Sequence, residues 1–131
     1  MSDEGAAGAL AAAVLGALRA VPGLSQVADG RPIQAGDAAA TLELGPESDW
    51  GHKNGEGAEL RFAVTIACGG EQPGRVRGLV AAARAQVETI GPELGSGWRL
   101  VTLVMIRSRA TRDDGPRWRG AVDYRARMLR D

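Results

Sequence analysis

The side chains best suited to chemistry in this chain sit close together. The one histidine, His52, and the one lysine, Lys53, follow Trp50 inside the polar stretch Gly45–Ala58, beside Glu47 and Asp49. A histidine with two carboxylates can hold a divalent cation, but these three donors show no metal-site spacing, and a solvated loop histidine is the plainer reading. The single cysteine, Cys68, rules out an intrachain disulfide and a cysteine metal cluster; it reads as a strand-end thiol in a reducing cytoplasm. No serine stands in a Gly-x-Ser-x-Gly turn, and no histidine is placed to activate a Ser or Cys. The run Gly69–Gly74 lacks the Lys and Ser/Thr with which a phosphate loop grips its ligand. With no residue set for hydrolytic or nucleotide-dependent chemistry, an enzyme is not expected, nor a cofactor.

What remains is arginine. Sixteen basic and sixteen acidic side chains cancel, which argues against a general polyanion binder. From Arg99 onward, however, nine arginines face four acids, and the rest of the chain is net acidic. Arginine favours planar, paired contacts over diffuse solvation. Four of the nine, Arg117, Arg119, Arg125 and Arg127, alternate with Asp123 along one strand face. Such a row is a solvated face or a contact face, because closely spaced arginines repel unless they meet carboxylates or phosphates. An arginine-lined passage can also touch DNA through phosphates alone, without reading sequence. Base stacking has less support: Phe62, Trp118 and Tyr124 fall on the apolar sides of their strands and read as core.

These residues need elements to hold them. Asp3–Ala20 reads as a helix, with acids at its start, Arg19 at its end and Pro22-Gly23 closing it; Leu10, Val14, Leu18 and Val21 form its apolar stripe. Leu24–Asp37 reads as a connector with a short extended piece at Pro32–Gln34. Two strands follow, Ala40–Leu44 and Glu59–Ala67, the second with Leu60, Phe62, Val64 and Ile66 on one side only. The fourteen residues between them far exceed an ordinary hairpin connection, and a loop of that length is normally functional or disordered. Within it Trp50 has nothing local to pack on. Arg75–Ile90 is an amphipathic helix through Val76, Leu79, Val80, Ala83, Val87 and Ile90.

Glu93–Gly97 reads as a turn and Trp98–Arg107 as a strand. Leu100, Val104 and Ile106 take one of its faces, and Val101, Leu103 and Met105 the other. Ser108–Pro116 reads as a polar turn before the last strand, Arg117–Met128. The order α-β-β-α-β-β predicts one α+β domain over residues 1–131, a four-stranded, largely antiparallel sheet carrying two helices. A strand apolar on both sides needs cover on both. Either the helices divide between the faces, or a second subunit covers one. No apolar run approaches the roughly 20 residues of a bilayer span, and the start of the chain lacks the basic residues of a signal peptide. No membrane partner is expected.

Taken in order, the loop SDWGHKNGEGAEL (Ser48–Leu60), the strand LRFAVTI, the helix RVRGLVAAARAQVETI, and then GWRLVTLVMI and RDDGPRWRGAVDYRARM form a recognisable series. From about Ala7 to Met128 the chain resembles the tail completion, or tail terminator, proteins of long-tailed bacteriophages and phage-derived gene transfer agents. The Asp-Trp-x-x-Lys loop and the Asp-Gly-x-x-Trp-Arg-Gly hairpin carry most of the resemblance. It implies an α+β subunit of a homo-hexameric ring seated on the last ring of the tail tube. Such a ring ends tube polymerisation, meets the head-side connector and lets DNA pass through its hole. Implied partners are therefore further copies of the chain, the major tail tube protein, the head–tail connector protein and DNA in transit. Assembly in a bacterial cytoplasm and release within the particle follow. By matching position, the resemblance places subunit and tube contacts at Asp49, Trp50, Lys53, Arg61, Arg117, Arg119 and Asp123, with no catalytic residues. A head-completion or connector adaptor of the same particle, and a free-standing nucleic-acid-binding domain, are the competing expectations.

Overall fold

The period-two apolar residues of the stretches around Phe62 and Tyr124 become the two central strands of a six-stranded sheet. In the computed structural model, residues 5–30, 37–113 and 115–130 are described. The elements are α1 (Gly5–Arg19), β1 (Gln26–Asp29), β2 (Ala38–Asp49), β3 (Glu56–Gly69), α2 (Gly74–Val87), β4 (Glu93–Gly95), β5 (Trp98–Arg112) and β6 (Arg117–Arg130). The sheet order is β1-β2-β3-β6-β5-β4. All neighbours are antiparallel except β1 and β2, which run parallel with Gln26 opposite Ala39. Asp3, Glu4 and the extended piece expected at Pro32–Gln34 lie outside the described residues.

The α+β class holds, but the sheet has six strands and not four. β1 and β4 are only four and three residues long, too short to show a period. A parallel neighbour is also unexpected across so short a connection, since parallel pairing normally needs a crossover of a dozen or more residues. Here Ser25 makes the join: its backbone N–H and its hydroxyl both donate to the Ala38 carbonyl, at 2.7 and 2.8 Å.

The long loop is a second correction. β2 continues through a Gly45-Pro46 bulge to Asp49, β3 begins at Glu56, and Asp49 stands opposite Ala58. The insert is thus a hairpin extension closed by a short turn, in which His52 and Gly55 exchange backbone hydrogen bonds of 3.2 Å. Its glycines serve close approach rather than freedom. A Cβ on Gly57 would lie 2.3 Å from the Trp50 carbonyl oxygen, and one on Gly55 would lie 2.8 Å from that of Arg130. The expected polar turn Ser108–Pro116 is likewise shorter, because β5 runs on to Arg112.

β5 also departs from strict alternation. Bulges between Leu100 and Thr102 and between Met105 and Arg107 each insert one residue, Val101 and Ile106. Leu100, Leu103 and Met105 consequently stand opposite Met128, Ala126 and Tyr124 on one face, while Val104 joins Arg125 on the other. Leu103 and Met105 thus share a face as alternation predicts, but Leu100 joins them instead of sharing a face with Val104.

Both helices pack on the same side of the sheet, so they do not divide between its faces. Leu10, Val14 and Leu18 of α1 and Val76, Leu79, Val80, Ala83 and Val87 of α2 join Leu42, Leu60, Phe62, Val64, Ile66, Val122, Tyr124 and Met128 in one hydrophobic cluster. Phe62 and Tyr124 stack across the central strand pair with centroids 5.0 Å apart. The Tyr124 hydroxyl donates to Glu88 Oε2 at 2.8 Å, which Arg84 also contacts at 2.8 Å. Burial first, and the Glu88 carboxylate second, raise the Tyr124 pKa, while the hydrogen bond from Arg84 lowers that of Glu88. Among the described residues, no helix meets the opposite face of the sheet, which carries Arg61, Asp123 and Arg125.

Candidate assembly interface

The residues singled out in the sequence fall in three places along this open face and its ends. At one end is the tip of the β2–β3 hairpin. Asp49 Oδ1 accepts the Gly51 N–H at 2.8 Å, folding the chain back so that the Trp50 N–H reaches the Gly57 carbonyl at 3.1 Å. The Trp50 ring then lies under the Arg127 guanidinium, 5.5 Å from its centroid. Trp50 thus has a local partner after all, on β6. Arg127 is itself fixed by Glu59, Nε to Oε1 at 2.8 Å, and this hydrogen bond holds the Glu59 carboxyl below its ordinary range. Lys53 and His52 occupy the exposed turn, where His52 Nδ1 accepts the Asn54 N–H at 3.2 Å. Among the described residues no group of three or more His, Cys, Asp or Glu is gathered as a metal site.

Arg61 and Asp123 lie at the centre of the face, on the walls of one cavity. Asp123 pairs with Arg107 at 3.3 Å across the β5–β6 ladder. Arg61 stands directly opposite Arg125, so two like charges share one rung, and the Arg125 Nε is buried with no hydrogen-bond partner among the described residues. Glu43, Arg61, Arg107 and Asp123, with Leu44 and Ile106, line a cavity of about 490 Å³. Leu44 and Ile106, with Val101 and Val104 farther along β5, are the exposed large apolar side chains among the described residues, at 37 to 45 %.

Arg117 and Arg119 lie at the far end of β6, a strand length from the hairpin tip. Arg119 reaches Asp113 at 3.7 Å, and Arg117 opens the strand opposite Gly69. There Arg75 bridges Asp37 and the Gly69 carbonyl, and its hydrogen bond depresses the Asp37 pKa, with a smaller contribution from the Arg117 charge. Arg112 lies over the Trp118 ring at 5.0 Å, and the Trp118 Nε1 donates to the Gly70 carbonyl at 3.1 Å. Asp49, Trp50 and Lys53 therefore form one group, Arg61 and Asp123 a second, and Arg117 and Arg119 a third.

Three contributors were missing from the expected set. Glu59 and Arg127 build the platform for Trp50, and Arg107 neutralises Asp123. The arginine row already contained Arg127. The position of Arg107 depends on the Ile106 bulge, and no residue pattern signals that.

Such a surface offers ion pairs, cation–π contacts and exposed apolar groups, the chemistry of protein–protein docking rather than of catalysis. Comparison with known proteins agrees. A model of the tail completion protein gp17 family matches residues 9–129. Among solved structures, a chain in the virion of a native gene transfer agent particle is similar, with 29% identity and a TM-score of 0.73 over 97% of this chain and 99% of that one. No curated protein sequence matches. The chain belongs to the gp17 family of tail completion proteins, and is a structural component of a phage-like tail, not an enzyme.

Proposed function

We propose that the chain closes the tail tube of a particle of the gene transfer agent type. It does so as one domain spanning residues 1–131, repeated in a homo-hexameric ring on the last tube ring. The observation that carries this reading is end-to-end similarity to a chain of such a virion, together with the family match. The ring stops polymerisation of the major tail tube protein, presents its other side to the head–tail connector protein, and leaves a central hole for DNA. DNA in transit meets arginines through its phosphates only. A head-to-tail ring needs two different, complementary patches on each subunit. The hairpin tip with Asp49, Trp50 and Lys53, and the arginine face with Arg61, Arg117, Arg119 and Asp123, are our assignment for the contacts with neighbours and tube.

Electron microscopy of particles made without this chain tests the reading. Tails longer than wild type, of uneven length and without heads, are expected. Tails of normal length that merely lack heads would replace it with the head-completion role. Particles unchanged in both respects, with the purified chain retained on DNA at low salt, would favour a nucleic-acid-binding domain.

A further inference from the structure

The two flanks of the sheet are unequal in charge, and both are incompletely covered. β1 pairs with β2 only from Ala39 to Leu42, so among the described residues the outer edge of β2 from Glu43 to Asp49 has no neighbour. That edge is exposed throughout and carries Glu43, Glu47 and Asp49 with no cation. At the other flank β4 pairs with Trp98 and Arg99, and among the described residues β5 has no outer neighbour from Val101 to Arg112. This edge carries Arg107, Arg109 and Arg112 with no acid. A groove of about 350 Å³ adjoins it, between α2 and β5, lined by Arg77, Arg84 and Arg109 with Val80 and Ala110. Arg84 is held by Glu88, whereas Arg77 and Arg109 have no acidic partner among the described residues.

Strand edges left open invite pairing with another chain, and proteins normally blunt them with charge, proline or bulges. Here both edges are blunted, by Pro46 and a bulge on β2 and by two bulges and arginines on β5. The charges, however, have opposite signs, so each edge repels itself and attracts the other. Such an arrangement disfavours isologous pairing and selects a head-to-tail contact.

We infer that the acidic outer edge of β2 in one copy docks along the basic outer edge of β5 in a second copy, with Glu47, which stands opposite the core residue Leu60 and so on the helix-covered side, entering the Arg77–Arg109 groove. The inference rests on the ring reading above and names its subunit contact. Topology supports it. Through the antiparallel ladders β2–β3, β3–β6 and β6–β5, strand β2 runs opposite to β5. Rotation of a copy about an axis along the strands preserves direction, so the two edges meet antiparallel. The exposed Val101, Val104 and Ile106 favour a protein occupant, because a nucleic-acid backbone has no apolar surface to offer them.

Charge reversal in particle-producing cells provides the test. Replacing Glu47→Arg, or Arg77→Glu with Arg109→Glu, should each cut the yield of finished particles roughly tenfold or more, as expected for opposed charge pairs at a close contact. The chain carrying all three changes should recover to within about twofold, because the contact of residue 47 with the groove is then restored with its signs exchanged. The melting temperatures of the purified variants, read beside that of wild type, exclude a folding defect as the cause. Normal yield from either reversal overturns the inference, as does a combined variant no better than its parents. If Arg77→Glu with Arg109→Glu abolishes DNA retention and leaves yield intact, the groove belongs to phosphate instead. Failure of the ring reading shows separately, as unchanged tail length in the deletion strain.

Discussion

Trp50 changes most between sequence and structure. In the sequence it is a tryptophan with nothing beside it; in the fold it lies under Arg127, which Glu59 holds in place. A cation–π contact at such a half-exposed site contributes about 0.5–1 kcal/mol. Trp50→Ala should therefore lower the urea-derived stability of the monomer by about that amount, and Arg127→Ala by a similar amount. The double variant should lose less than the sum, since one contact cannot be lost twice. If the cycle shows no coupling while Trp50→Ala still blocks tail completion, the ring turns toward another molecule in the assembled particle.

At the scale of elements, Gly120 shows how closely α2 lies on β6. A Cβ there would come 2.3 Å from Val80 Cγ2 and 3.3 Å from Val76 Cγ2. Valine in a helix has essentially one χ1 rotamer, so neither side chain can swing away and the helix must lift. Gly120→Ala should cost about 1–3 kcal/mol by overpacking. Gly78→Ala, on the exposed face of the same helix with nothing within 4 Å, should instead gain about 0.5–1 kcal/mol. Equal effects of the two substitutions in chemical denaturation would contradict this packing.

The same scale separates what the sequence revealed from what it hid. β3, β6 and α2 were legible because one face of each is buried, which writes a period of 2 or 3.6 into the residues. The two bulges of β5 were not, since they arise from its pairing with β6 and leave no mark in its own composition. β1 and β4 were too short to show alternation. The hairpin tip was misread because glycine has two opposite uses, freedom and close approach, and Gly55 and Gly57 serve the second. Of the candidate contacts, the arginine row on β6 was visible as alternation. The acidic edge of β2 was not, because Glu47 and Asp49 appeared to belong to a loop.

For the whole molecule, the ionisable groups set a pH window for stability. Asp37, Glu59 and Glu88 have depressed folded pKa values, each owing first to a hydrogen bond from an arginine. Their stabilisation is complete above the ordinary values of 3.8 and 4.5 and is lost as pH falls through the lower folded values. All three are solvent-accessible, so this acid limb should be shallow. At the other end, burial raises Cys68 above its ordinary 9.0 and Tyr124 above its ordinary 10.0. Folding then favours the protonated forms, with stability intact below those values and falling as pH rises past them. Urea midpoints followed by tryptophan fluorescence should accordingly decline more steeply above about pH 9 than below about pH 4.5. Tyr124→Phe loses the Glu88 hydrogen bond at neutral pH, at a cost of about 1 kcal/mol, but cannot ionise. Combined with Cys68→Ala it should remove most of the alkaline decline while leaving the acid limb in place. An alkaline limb undiminished in that double variant would mean that the helix-covered core is not what resists base.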